Sequence, residues 1–252
     1  MLNPPRVLPG GFHGHYAQGP ALSTLADQCL KYREGPTLFY RALRAYLPGM
    51  TRSSQLVREI SACRLCAPRF AATATRHAPR PVVWFRPGAR ILIVGQAPGL
   101  RVHEAGRPFA DRSGDRLREW MAVSSEEFYD RRRVAIVPMA FCFPGYDAKG
   151  SDLPPPPLCA LTWRDKVMAR LRPRLTLLVG GHAQRWHLGA KAGVTATVAG
   201  WRDHAPRIFP LPHPSWRNTA WLRRNPWFQA ELLPELRAAV AALMREADDP
   251  AG

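Results

Sequence analysis

Apolar positions along the chain gather into four short runs separated by longer stretches of mixed polarity. The clearest is Ile91 to Val94, inside a strand expected over 90–95, which stops on Gly95-Gln96-Ala97-Pro98-Gly99. A run that is apolar at every position has both faces buried, as in a parallel sheet. Similar runs predict strands over 133–138, 175–180 and 207–212. Between and after them, amphipathic stretches predict helices near 113–123, 160–171, 182–188, 217–224 and 227–246. Strands alternating with helices predict an α/β/α sandwich with a short central parallel sheet. The Gly-x-x-Pro-Gly turn lets backbone amides come close to a ligand, and ligands in such sheets sit beyond the carboxyl ends of the strands. An ordinary tight turn would read the same from these residues alone.

Upstream the pattern is weaker. Residues 1–54 are expected to form a helical and irregular extension, with two short helices broken at Gly35-Pro36. The α/β domain is expected over 55–246, followed by a tail at 247–252. A helix is predicted over 55–66, running into a cysteine pair, and the Pro-, Arg- and Ala-rich segment 67–90 reads as a connection over the surface. No internal repeat is present.

Composition narrows the partners. Lysine and arginine outnumber aspartate and glutamate by 36 to 19, giving +17 at neutral pH over 252 residues, and arginine supplies nearly all of the positive charge. Guanidinium forks match phosphates, so a polyanion is the expected partner; an arginine-heavy proteome is the alternative source of the excess. No apolar run is long enough to span a bilayer, and the first residues lack a signal pattern. The expectation is a monomer in the cytoplasm, on the nucleoid in a bacterium.

Cys63 and Cys66 form C-x2-C, while Cys142 and Cys159 flank FPGYDAKGSDLPPPPL. In a cytosolic chain this pattern argues against disulfides. Four thiolates from two segments suit zinc or a [4Fe-4S] cluster, with scattered buried cysteines as the alternative. Cys29 stands outside the pattern.

The loop GQAPGLRVHEAGRPFADRSGDRLREW, residues 95–120, resembles the first motif of the uracil-DNA glycosylase superfamily in its iron-sulfur branches. Family four has Gly-Glu-Ala-Pro-Gly and a downstream Gly-x-Pro-Phe, and family five has Asp-Arg-Ser-Gly-Asp. LPHPSWRNTAWLRRNPWF, residues 211–228, resembles the second motif, a His-Pro-Ser before a loop that enters DNA. The cysteine spacing is similar to the cluster spacing of those families, and the resemblance runs from about Leu56 to Leu243.

The resemblance implies roles for named residues. Phe109 stacks on the flipped base, beside Gln96 and Ala97 of the first loop. His213 donates a hydrogen bond to the uracil carbonyl as charge builds there. Asp111 orients water or balances the oxocarbenium ion, with His103 and Glu104 as alternatives; it also suits a helix N-cap. Ser215, Trp216, Arg217, Asn218, Arg223 and Arg224 face DNA, with Trp216 or Arg217 as the wedge. Trp221 and Trp227 suit core positions. The metal ligands are Cys63, Cys66, Cys142 and Cys159, holding a [4Fe-4S] cluster or zinc.

Two departures bear on activity. Family four has a glutamate where this chain has Gln96, and an amide is no general base. Pro138 stands where family four has the asparagine that reads the base edge. Family five uses an asparagine where this chain has Asp147, which the resemblance makes a base-binding residue accepting from uracil N3–H; a turn residue is the alternative. The expected function is hydrolytic removal of uracil, or a related deaminated base, from single- or double-stranded DNA. The alternatives are a catalytically weak lesion- or abasic-site-binding protein and, less favoured by the charge, a nucleoside hydrolase.

Overall fold

Thr51 starts the first helix by accepting the Ser54 N–H on its hydroxyl at 3.2 Å, so this helix begins at Arg52 and not at residue 55 as expected. In the computed structural model residues 51–246 are described. The extension's two expected helices, Cys29 and the tail at 247–252 lie outside the described residues.

The elements in order are α1 (Arg52–Ser61), α2 (Ala67–Ala71), β1 (Ile91–Val94), α3 (Leu100–Ala105), α4 (Arg112–Met121), α5 (Ser125–Tyr129), β2 (Val134–Ile136), α6 (Pro157–Met168), β3 (Leu175–Val179), α7 (Gly181–Leu188), α8 (Gly193–Ala199), β4 (Ile208–Leu211), α9 (Thr219–Arg224) and α10 (Leu233–Arg245). Helix α1 ends before the cysteine pair instead of running into it, leaving Cys63 and Cys66 in a turn. The helix expected over 227–246 begins as a π turn at Phe228–Leu232. Pro234 then falls at the start of α10, where its missing N–H is not needed.

All four strands are parallel in the order β2-β1-β3-β4. Alternation along β1 assigns the faces. Ile91 and Ile93 pack with Leu117, Trp120, Phe228 and Leu236 beneath α4 and α10, while Leu92 and Val94 pack with Leu56, Ile60, Trp163 and Val167 beneath α1 and α6. Each fully buried side chain of this kind contributes roughly 1.5–3 kcal/mol. The three layers are therefore helix, sheet, helix, as an α/β/α sandwich requires.

Segment 67–90 does not run over the surface as expected. Phe70, Val82, Phe85 and Ala89 are buried. The Ile136 N–H donates to the Trp84 carbonyl at 2.7 Å, and the Val82 N–H donates to the Phe141 carbonyl at 2.8 Å. Strand β2 is an edge of the sheet, and this segment covers it, satisfying main-chain groups that would otherwise face solvent.

The chain steps outward from β1 to β2 on one side and from β3 to β4 on the other. The strand order thus reverses between β1 and β3, and such a switch point is where open α/β sheets form a crevice.

Candidate active site

The crevice is a cleft of about 850 Å³ at the carboxyl ends of the strands. Its walls are Gly95–Gly99 after β1, Pro108–Ser113 leading into α4, Pro138 after β2, a stretch that includes Pro144, Tyr146 and Asp152, and His213 to Arg217 after β4. Of the residues singled out by sequence, Gln96, Ala97, Phe109, Asp111, His213, Ser215, Trp216 and Arg217 meet here.

Phe109 is held in a strained backbone conformation. Its φ is +52°, a left-handed conformation unfavourable for a bulky residue. The Tyr129 hydroxyl is within hydrogen-bonding distance of the Phe109 and Pro108 carbonyls, at 3.1 and 3.0 Å. Gly114 makes the turn possible, because a β-carbon there would lie 1.9 Å from the Phe109 carbonyl oxygen. The ring packs edge-on against Phe128, with centroids 6.1 Å apart, and lies over Gly95.

Asp111 is the N-cap of α4, its Oδ1 accepting the Gly114 N–H at 3.0 Å. Its Oδ2 makes no hydrogen bond among the described residues, so one carboxylate serves the helix and keeps an oxygen for the cleft.

His213 sits between buried Pro212 and Pro214. Its Nδ1 accepts the Ser215 N–H at 3.2 Å, and its carbonyl accepts from Asn218 Nδ2 at 2.6 Å. Burial pushes its pKa below the usual value, against the opposing fields of Asp111 and Asp152. A neutral imidazole whose Nδ1 accepts must carry its proton on Nε2. The ring therefore presents one N–H donor.

Other expected residues lie elsewhere. Asp147 is outside the cleft lining, with Oδ1 accepting the Lys149 and Ser151 N–H groups at 2.8 and 2.9 Å, so it holds a turn. Asn218 faces back onto the His213 carbonyl. Arg223 and Arg224 are exposed on α9, away from the cleft. His103 packs edge-on to His77 at 5.3 Å and Glu104 is exposed; neither lines the cleft. Trp216 is 71 % exposed with the Arg217 guanidinium 5.9 Å from its ring centroid, whereas Trp221 and Trp227 pack against Phe228.

Sequence reasoning missed Asp152 and Arg116. Burial raises the Asp152 carboxyl pKa; Arg217 and His213 lower it and Asp111 raises it further. Arg116, on α4, donates from Nη1 to the Ser215 carbonyl at 2.9 Å. Neither carries a local signal: one arginine among many is inconspicuous, and Asp152 lies in a proline-rich loop.

All four expected cysteine ligands line one apolar cavity, with Ile60, Phe70, Phe141, Leu158 and Trp163 among its walls. No histidine or carboxylate joins them, so the donor set is entirely soft. Burial, then the fields of the other cysteines, push Cys142 up to about 12. Burial likewise pushes Cys159 up to about 11, partly offset by the Phe141 N–H, which donates to its Sγ at 3.5 Å. Among the described residues no three His, Cys, Asp or Glu side chains are drawn close enough to hold a metal ion. What the sulfurs share is a common cavity and one another's field, which fits a thiolate-bound group once their protons leave.

The model of the uracil DNA glycosylase superfamily matches residues 82–237. That span is more than half of the chain and contains every strand, the strained Phe109 turn, Asp111 and the His213 loop, so the chain belongs to the uracil DNA glycosylase superfamily, glycosylase-type hydrolases that act on DNA.

Proposed function

We propose that the protein is a monofunctional DNA glycosylase that takes uracil, or a related deaminated base, out of the stack and hydrolyses its bond to deoxyribose, leaving an abasic site. The observation that carries this reading is His213, neutral and donating only through Nε2, in one cleft with Asp111 and Phe109. Such a donor stabilises a leaving base as negative charge develops on its carbonyl.

In this reading the base enters the cleft and stacks on the Phe109 ring, which recovers part of the cost of unstacking. The C1′–N bond breaks, the electron pair stays on the base, and His213 Nε2–H stabilises the resulting anion. Asp111 Oδ2 balances the oxocarbenium ion and orients water; water oxygen bonds to C1′ and its proton passes to the carboxylate. Trp216 and Arg217, exposed at the rim, fit an unstacking wedge beside a phosphate contact.

The cysteine cavity fits a [4Fe-4S] cluster, or zinc, held by Cys63, Cys66, Cys142 and Cys159. When bound, such a group supplies a cross-link and not an electron, because the hydrolysis moves none. Held by Cys142 and Cys159, it would tether the ends of the loop that brings Tyr146 and Asp152 to the cleft.

A second reading is a lesion- or abasic-site-binding protein that turns over poorly. Pro138 favours it: this residue lines the cleft but offers no side-chain donor or acceptor for a base edge. Incubation with matched uracil-containing and uracil-free oligonucleotides, followed by alkaline cleavage and a parallel binding assay, separates the two. Cleavage only at uracil supports the first reading; tight binding without cleavage overturns it in favour of the second.

A further inference from the structure

Arg164 is 3 % exposed, in the interior of α6. A buried guanidinium is tolerated only when its hydrogen bonds and its charge are both met. The two terminal nitrogens have acceptors. Nη1 and Nη2 donate to the Val137 carbonyl at 3.2 and 3.3 Å, and Nη2 also reaches the Pro138 carbonyl and Met139 Sδ, each at 3.0 Å. The charge is not met, because no carboxylate stands at ion-pair distance from Arg164 among the described residues. Carbonyl dipoles supply acceptors and no net charge.

Arg164 shares α6 with Cys159, and the adjoining Trp163 lines the cysteine cavity; the fields Arg164 feels are those of Cys159 first and Asp165 second. The Cys159 sulfur lines the cysteine cavity together with Cys63, Cys66 and Cys142. Burial holds the Arg164 guanidinium down to about 10. Four thiolates around either zinc or a [4Fe-4S] centre carry a net negative charge. We propose that Arg164 is the counter-charge of an anionic metal–thiolate centre held by the four cysteines, a positioning residue that retains that centre while its other face grips the carbonyls of the cleft floor. The inference rests on reading the cysteine cavity as a metal site.

The test uses the full chain, purified without oxygen, as the parent, Arg164→Gln and Arg164→Lys. Metal per chain is measured, its transfer to a chelator is followed in time, and thermal midpoints are taken before and after stripping. Loss of a partner around metal ligands typically weakens metal binding by about 10- to 100-fold. Arg164→Gln should therefore release metal at least about 10-fold faster, and Arg164→Lys should stay within about two-fold of the parent. The midpoints should also invert: Arg164→Gln melts below the parent when loaded and above it when stripped, since the uncompensated cation is then a liability. A purely structural arginine would lower both midpoints alike.

Unchanged release from Arg164→Gln, or equal lowering of both midpoints, overturns the proposal and leaves the metal reading standing. A parent that carries no metal overturns the metal reading and the proposal with it. Should Arg164→Gln fail to fold, Arg164→Lys decides: retention at the parent rate supports the counter-charge, and release about 10-fold faster from a folded variant overturns it.

Discussion

Arg116 Nη1 lies 2.9 Å from the carbonyl oxygen of Ser215, so the helix capped by Asp111 directly holds the loop that carries His213. A second donor, Nη2, reaches Thr219 Oγ1 at 3.4 Å. Removing the fork with Arg116→Met should slow base release by about 10-fold or more while the fold persists, since small misplacements of reacting groups are costly. Single-turnover rates compared with far-UV circular dichroism check this, and an unchanged rate would show that the loop is held by other means.

Asp111 combines two roles that substitution can separate. Asparagine caps a helix about as well as aspartate, so Asp111→Asn should leave stability within about 0.5 kcal/mol yet slow base release roughly 10²- to 10³-fold. Asp111→Ala should lose the cap as well, at a further ~1 kcal/mol. Urea unfolding alongside oligonucleotide cleavage distinguishes the two losses. His213→Ala should slow release on the same scale as Asp111→Asn, with binding to uracil-containing DNA changed much less.

Gly114→Ala should be more disruptive than its size suggests. The added carbon would meet the Phe109 carbonyl at 1.9 Å, and backbone cannot retreat as a side chain would. A destabilisation of about 1–3 kcal/mol is expected, together with weakened capture of the flipped base because Phe109 must leave its left-handed turn. Thermal unfolding and binding to uracil-containing DNA give the two numbers.

Acid should both inactivate and destabilise the protein. Burial lowers the pKa of His213 from 6.5, and also those of His103, His182 and His187, the last to about 4 with help from Arg164. In each case the unfolded chain binds the proton first as pH falls, so stability is full above about 6.5 and declines toward about 4. Base release should fall as His213 gains its second proton, somewhere below pH 6.5. A pH–rate profile with single-turnover chemistry tests the second point, and a rate that rises on acidification would remove His213 from its assigned role.

Binding to undamaged duplex should weaken steeply between roughly 50 and 200 mM salt, by orders of magnitude if about six or more phosphates are engaged. Arg223→Ala and Arg224→Ala should weaken binding across sequences without altering which base is removed, because they stand on α9 away from the cleft. A fluorescence titration over salt would expose a flat response, which is incompatible with a phosphate-reading surface.

The sheet was legible because its runs are apolar on both faces, and Ile91 to Val94 shows this at its simplest. Segment 67–90 misled because its buried residues are isolated among prolines and arginines, with no period to betray burial. Ser124 and Glu127 form a capping box that marks α5, a signal present in the sequence for a helix not expected there. The flanking motifs of His213 and Asp111 drew attention to two residues that do line the cleft. Asp147 did not separate from its turn role until its carboxylate was found accepting two backbone donors. Arg116 and Arg164 could not be singled out by sequence, since their meaning lies in carbonyls 99 and about 26 positions away.

Strands β1 and β4 are second neighbours in the sheet, with β3 between them. The loops bearing Gln96 and His213 therefore spring from points two interstrand spacings apart, roughly 10 Å. Gly180 ends the intervening strand with φ +83°, where an added β-carbon would lie 3.9 Å from that of His213. Substitutions in the loops can change which atoms line the slot, whereas its gauge is fixed by main-chain hydrogen bonding.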